Sequence, residues 1–126
     1  MAKILIVDDD PDLVEAVTMI LESKGYDVAA AYGGIEGLEK ARSESPDLIV
    51  LDVMMPDKDG YAVAKELKSD PDLKQIPILL LTAVVSHITT TKYTPQMGLE
   101  TEAEDYMDKP VEPEELVNRI EMLLAK

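Results

Sequence analysis

The chain has 126 residues, is 46% apolar, lacks cysteine, and carries 26 acidic against 12 basic residues for a formal charge of −14. Such a length suits one domain with a single sizeable core, the apolar share argues against disorder, and the missing cysteines exclude disulfides and thiolate metal sites. The acid excess disfavours direct nucleic-acid binding, which needs a basic face to displace counterions.

In chain order, the first strand is "KILIV" (3–7), which runs straight into three consecutive carboxylates, Asp8, Asp9 and Asp10. Like charges about 4 Å apart repel by roughly 4 kcal/mol at an effective dielectric near 20, so a cation or a helix end must want some of them. Asp10-Pro11 reads as an N-cap followed by proline at the first helical position; Val14, Val17 and Leu21 share one face, and Gly25 ends that helix. "YDVAAA" (26–31) is a weaker strand, and "GGIEGLEKARSE" a helix diluted by glycine. "DLIVLD" (47–52) is a third strand. After it Asp57 and Asp59 read as turn formers around Gly60, and "GYAVAKELKSD" as a helix with Val63 and Leu67 four apart. "IPILLLT" (76–82) and "EDYMD" (104–108) complete the strands, and "EPEELVNRIEMLLA" closes the chain with Leu116, Ile120 and Leu123 or Leu124 facing inward.

Three of these strands are apolar throughout, as strands buried on both faces are. Strand and helix alternate five times if residues 83–104 hold a helix. That predicts an α/β fold whose parallel sheet is covered on both sides and joined by right-handed crossovers. Ligands of such sheets bind beyond the strands' carboxyl ends. That edge would collect Asp8 and Asp9 after the first strand, Asp52 ending the third, Thr82 ending the fourth and Lys109 after the fifth. Carboxylates form a hard-oxygen site suited to Mg²⁺, a hydroxyl and an ammonium can hold phosphoryl oxygens, and a carboxylate can act as nucleophile. Mg²⁺-dependent phosphoryl chemistry is the reading these residue types support. His87 reads as a loop residue, and most of the acid excess as a solubilising surface.

The segments "ILIVDDD", "DLIVLDVMMPDKDGY", "IPILLLTA" and "DYMDKP", in that order and spanning nearly the whole chain, resemble the receiver domain of two-component response regulators. The resemblance implies a flavodoxin-like (βα)5 fold with strand order 2-1-3-4-5, and a phosphoryl group accepted on Asp52 from a sensor histidine kinase or a phosphotransfer protein. It implies Mg²⁺ held by Asp8, Asp9, Asp52 and the backbone carbonyl of Met54. Thr82 and Lys109 would follow the phosphoryl group, Tyr106 would change rotamer, Ala83 would be the small neighbour of the phosphoryl group, and the Lys109–Pro110 bond would be cis.

The same resemblance implies a single receiver domain over residues 1–126 without an output domain, signalling through a downstream protein. It would be a monomer or weak dimer, cytoplasmic, with neither direct DNA binding nor a membrane segment. It would be no enzyme beyond catalysing its own phosphorylation and dephosphorylation. An aspartyl-nucleophile phosphohydrolase would need a general acid two positions past Asp52, where Met54 stands, and a substrate cap. A phosphate-independent interaction module would have no need of the acid pair, Asp52, Thr82 and Lys109. Residues 83–104 depart furthest from the family: Ile88-Thr89-Thr90-Thr91 and Pro95 are poor helix formers, which predicts a short or displaced helix after a mobile loop at 84–94.

Overall fold

The computed structural model describes residues 2–82 and 103–125. The elements are β1 (Lys3–Val7), α1 (Pro11–Ser23), β2 (Asp27–Ala31), α2 (Gly34–Glu44), β3 (Leu48–Asp52), α3 (Gly60–Ser69), β4 (Ile78–Thr82), β5 (Asp105–Asp108) and α4 (Pro113–Leu124). The strands form one parallel five-stranded sheet in the order β2-β1-β3-β4-β5, the flavodoxin-like topology expected from the sequence. Of the range 83–104 in which a loop and helix are expected, residues 83–102, with Ala83 and His87, lie outside the described residues.

Alternation along the strands divides the core. Leu5, Val7, Ile49, Leu51 and Leu80 pack with Val63 and Leu67 of α3 on one face; Ile4, Ile6, Val50 and Leu79 pack with Leu21 of α1 and Ile120 of α4 on the other. Every residue of β3 is buried, because this central strand meets helices on both sides, and its apolar run ends only where Asp52 reaches the sheet edge. Each such apolar side chain contributes about 1.5–3 kcal/mol by leaving water.

Local signals set the helix ends. The Asp10 carboxylate accepts from the N–H groups of Asp12 (3.0 Å) and Leu13 (3.4 Å), and Gly25 takes φ 91 after the helix, a left-handed conformation that costs glycine little. The Glu112 carboxylate caps α4 on the amides of Glu114 and Glu115. At the sheet's two edges, Lys40 Nζ of α2 donates to the Ala30 carbonyl of β2 (2.6 Å), and Arg119 Nη1 of α4 donates to the Tyr106 carbonyl of β5 (2.9 Å). At the sheet end opposite the strands' carboxyl ends, Lys68 Nζ pairs with Glu104 (2.7 Å), whose other carboxylate oxygen accepts from the Ile78 amide.

Candidate functional site at the carboxyl edge of the sheet

Parallel pairing places Val7 beside Leu51 and Asp52 beside Leu81, so the residues that end or follow β1 and β3 emerge next to one another. Asp8, Asp9 and Asp52 each bring one carboxylate oxygen to within 4.8 Å of the others. Asp8 is fully buried and Asp52 nearly so, while Asp9 is exposed. The Asp8 amide donates to the Ala31 carbonyl (3.1 Å), and its Oδ1 accepts from the Asp10 amide (2.9 Å), so the first carboxylate of the run is fixed by the third residue's backbone. The third carboxylate caps α1 and takes no part in the cluster.

Lys109 follows β5 and is anchored by its own amide donating to the Thr82 carbonyl (2.8 Å). Its ammonium lies 3.0 Å from Asp8 Oδ2 and 3.1 Å from Asp52 Oδ1. The distance to Asp8 is that of an ion pair, and the buried Oδ2 forms no hydrogen bond of good geometry among the described residues. The Lys109–Pro110 bond is cis, as expected. Among the described residues, a cluster of three carboxylates thus has one ammonium. Burial, and next the Asp8 carboxylate, push the Asp52 carboxyl up to about 6 against the opposing pull of Lys109. Burial alone would lower the Lys109 ammonium, but its contacts with Asp8 and Asp52 outweigh this and raise it.

These residues fit Mg²⁺. The donor set is hard carboxylate oxygen, and Asp8 Oδ2 is a buried acceptor that forms no well-aligned hydrogen bond, its near neighbour being the Lys109 ammonium at 3.0 Å. The loop after Asp52 is shaped to the same place. The Met54 amide points at Asp52 Oδ1 (3.4 Å), the Met54 side chain is 47% exposed, and the Gly60 amide donates to the Val53 carbonyl (2.8 Å). A Cβ at Gly60 would collide with the Asp52 carbonyl oxygen, so only glycine lets α3 begin this close to the end of β3.

Thr82 ends β4 on the same edge, but its hydroxyl donates to Asp108 Oδ1 (2.9 Å), its register partner on β5, instead of facing Asp52. Tyr106 is half-buried on β5 against the core that α3 covers. Asp57 and Asp59 are more than turn formers. Asp59 N-caps α3 through the Ala62 amide (2.9 Å). Asp57 accepts from the amides of Gly34 (3.0 Å) and Ile35 (3.1 Å) at the start of α2. Those two bonds hold the Asp57 carboxyl below the usual carboxylate range. No signal in the local sequence marks the Asp57 contact, which spans 22 and 23 positions.

A family model described as the response regulator receiver domain matches residues 4–121. The chain is 44% identical over 124 residues to the alkaline phosphatase synthesis transcriptional regulatory protein PhoP of Bacillus subtilis, covering 98% of this chain and 49% of that protein. It is 40% identical over 126 residues to the DNA-binding dual master transcriptional regulator RpaA of Synechocystis, covering all of this chain and 50% of that one. It therefore spans about half the length of the curated relatives it matches. Among solved structures, Vibrio cholerae chemotaxis protein CheY4 superposes with a TM-score of 0.87 at 33% identity, covering 98% of both chains. The BeF3-activated N-terminal receiver domain of Klebsiella pneumoniae RstA gives 0.85 at 32% identity, covering 98% of this chain and 99% of that one.

Proposed function

Since the chain belongs to the response regulator receiver domain family, we propose that it is a phosphorylatable signalling switch with Asp52 as phosphoacceptor. Mg²⁺ would be held by Asp8, Asp9, Asp52 and the Met54 carbonyl, and when bound it supplies positive charge to the phosphoryl oxygens. The observation that carries this reading is the pairing of a buried, hydrogen-bond-deficient Asp8 with a buried Asp52 under one lysine at adjacent strand ends.

An Asp52 carboxylate oxygen attacks the phosphorus of a phosphohistidine, the O–P bond forms as the N–P bond breaks, and the imidazole leaves. Above a pH of about 6 the carboxylate is ionised and ready as nucleophile. The product carries close to two negative charges where a single one stood. Lys109, already 3.1 Å from Asp52 Oδ1, pairs with that new charge. Thr82 follows by exchanging its bond to Asp108 for one to a phosphoryl oxygen, and Tyr106, two residues before Asp108, responds with it. Reversing a two-state population from 1:99 to 99:1 needs about 5.5 kcal/mol, which a few charge-assisted contacts can supply.

The phosphodonor is a sensor histidine kinase or a phosphotransfer protein, and the chain catalyses only its own phosphorylation and dephosphorylation. Relatives matched over half their length are named as DNA-binding or transcriptional regulators. At −14, this segment is suited to protein contact more than to nucleic acid, so its output is a downstream protein surface or a neighbouring part of a longer protein. We place it in the cytoplasm as a monomer or weak dimer; among the described residues no helix is long and apolar enough to cross a membrane.

The test is treatment with acetyl phosphate with and without Mg²⁺, read by intact mass. One phosphoryl group should be added only with Mg²⁺ and lost in Asp52→Asn. Labelling that persists in that variant refutes the assignment.

A further inference from the structure

α2 does not cap itself. Its N-cap residue is Gly33, which has no side chain to offer, and the cap comes from a distant part of the sequence. The Asp57 carboxylate accepts from the Gly34 amide with Oδ1 and from the Ile35 amide with Oδ2, one oxygen to each free N–H. The same carboxylate fills the space a Cβ on Gly33 would need, with Oδ2 at 2.9 Å from that position. Backbone N–H groups at a helix start and an ionised carboxylate form charge-assisted bonds, and the lowered Asp57 carboxyl agrees with that.

Asp57 sits in the middle of the loop between β3 and α3, three residues past Met54. The ends of this loop are held by backbone bonds: the Val53 amide donates to the Leu81 carbonyl (3.0 Å), and the Gly60 amide to the Val53 carbonyl (2.8 Å). Lys58 pairs with Glu66 (2.9 Å), but Glu66 lies on α3, the helix into which the loop runs. Among the side-chain hydrogen bonds and ion pairs of the described residues, those of Asp57 tie the loop's interior to a separate element.

With the acid cluster taken as the Mg²⁺ site, we propose that Asp57 is a positioning residue for it, clamping the backbone that carries Met54 beside Asp52 to the N-terminus of α2. Without the clamp the acidic ligands remain, but the loop samples more conformations, and ordering it costs part of the binding free energy. Because Asp57 is exposed, the loss should be modest, about three- to tenfold in Mg²⁺ affinity, below the range typical of buried supporting groups.

The experiment measures the Mg²⁺ dissociation constant by titration calorimetry, and the Mg²⁺ dependence of acetyl phosphate labelling, for wild type, Asp57→Ala, Asp57→Asn and Glu39→Gly. Glu39 is exposed on α2, so Glu39→Gly weakens that helix without touching the loop. Asp57→Ala should raise the dissociation constant about three- to tenfold and shift half-saturation alike, while the labelling rate at saturating Mg²⁺ stays within about twofold. Hydrogen exchange at the Gly34 and Ile35 amides should quicken in the same variant. Asp57→Asn, which keeps one acceptor, should fall between Asp57→Ala and wild type, and it carries the test if Asp57→Ala does not fold. Glu39→Gly should bind Mg²⁺ as wild type does. A wild type that binds Mg²⁺ beside an Asp57→Ala or Asp57→Asn with unchanged affinity overturns the positioning role alone. So does a Glu39→Gly that loses as much affinity as Asp57→Ala. A wild type that neither binds Mg²⁺ nor takes a phosphoryl group overturns the functional reading beneath it.

Discussion

Asp52→Asn should make the metal-free protein more stable at neutral pH. Asp52 is 1% exposed, and burial with the neighbouring Asp8 carboxylate lifts its carboxyl from an ordinary 3.8 to about 6 in the folded state. The folded protein therefore binds this proton more tightly than the unfolded chain does. Stability is fullest below the unfolded value, falls as pH rises from about 4 to about 6, and stays reduced above that. Two pKa units correspond to about 3 kcal/mol as an upper figure. Asparagine is close in shape and uncharged, and Lys109 keeps Asp8 at 3.0 Å, so about 1–3 kcal/mol should be recovered near pH 7.5. Urea unfolding in the presence of a chelator reads this as a rise in midpoint of about 1 M, since m for a protein of this size is on the order of 1–3 kcal/mol per M. Near pH 4.5 Asp52 is already protonated in the fold, and the advantage should shrink to a fraction of its neutral value. A variant no more stable than wild type at neutral pH, or one whose gain is the same at both pH values, would refute the claim that Asp52 is held ionised at a cost.

Two other variants probe the geometry of the site. Asp9 is the exposed member of the cluster, and Asp9→Asn should leave the fold intact while removing the rise in Tm expected of wild type on adding Mg²⁺; thermal melts with and without Mg²⁺ check it, and an undiminished shift would contradict the ligand role. Gly60→Ala forces a methyl into the Asp52 carbonyl oxygen, so it should destabilise by about 2 kcal/mol or more and slow labelling of Asp52. Wild-type stability in that variant would show that the start of α3 can move away freely.

The parallel sheet was legible because β1, β3 and β4 are buried on both faces and so read as unbroken apolar runs, a pattern that depends only on near neighbours in sequence, whereas the strand order came from the family resemblance. The start of α1 was legible for a similar reason, since Asp10 caps amides two and three residues on. Placing Asp8, Asp52 and Lys109 at one edge required only the knowledge that parallel strands share a direction. The partner of Thr82 was not legible. Its bond to Asp108 depends on the register of β4 against β5 and spans 26 positions, which no local pattern encodes. Asp57 was legible only in part for the same reason: beside Gly60 it carries a turn former's signature, and its carboxylate also serves a helix that began 23 residues earlier.

The cations at the two rims of the sheet restrict how this protein can be recognised. An open edge strand offers its outward carbonyls to any extended peptide, and adding a strand is among the simplest routes to both specific binding and aggregation. Here Lys40 occupies the Ala30 carbonyl on one rim, and Arg119 occupies the Tyr106 carbonyl on the other while also pairing with Asp105 at 2.9 Å. A peptide zipping onto either rim would first have to expel an ammonium or a guanidinium from an internal bond. If the proposed function holds, kinase and target would meet helix faces and the loops around Asp52 in preference to these two rims, and the same two capped carbonyls would disfavour edge-to-edge pairing of copies.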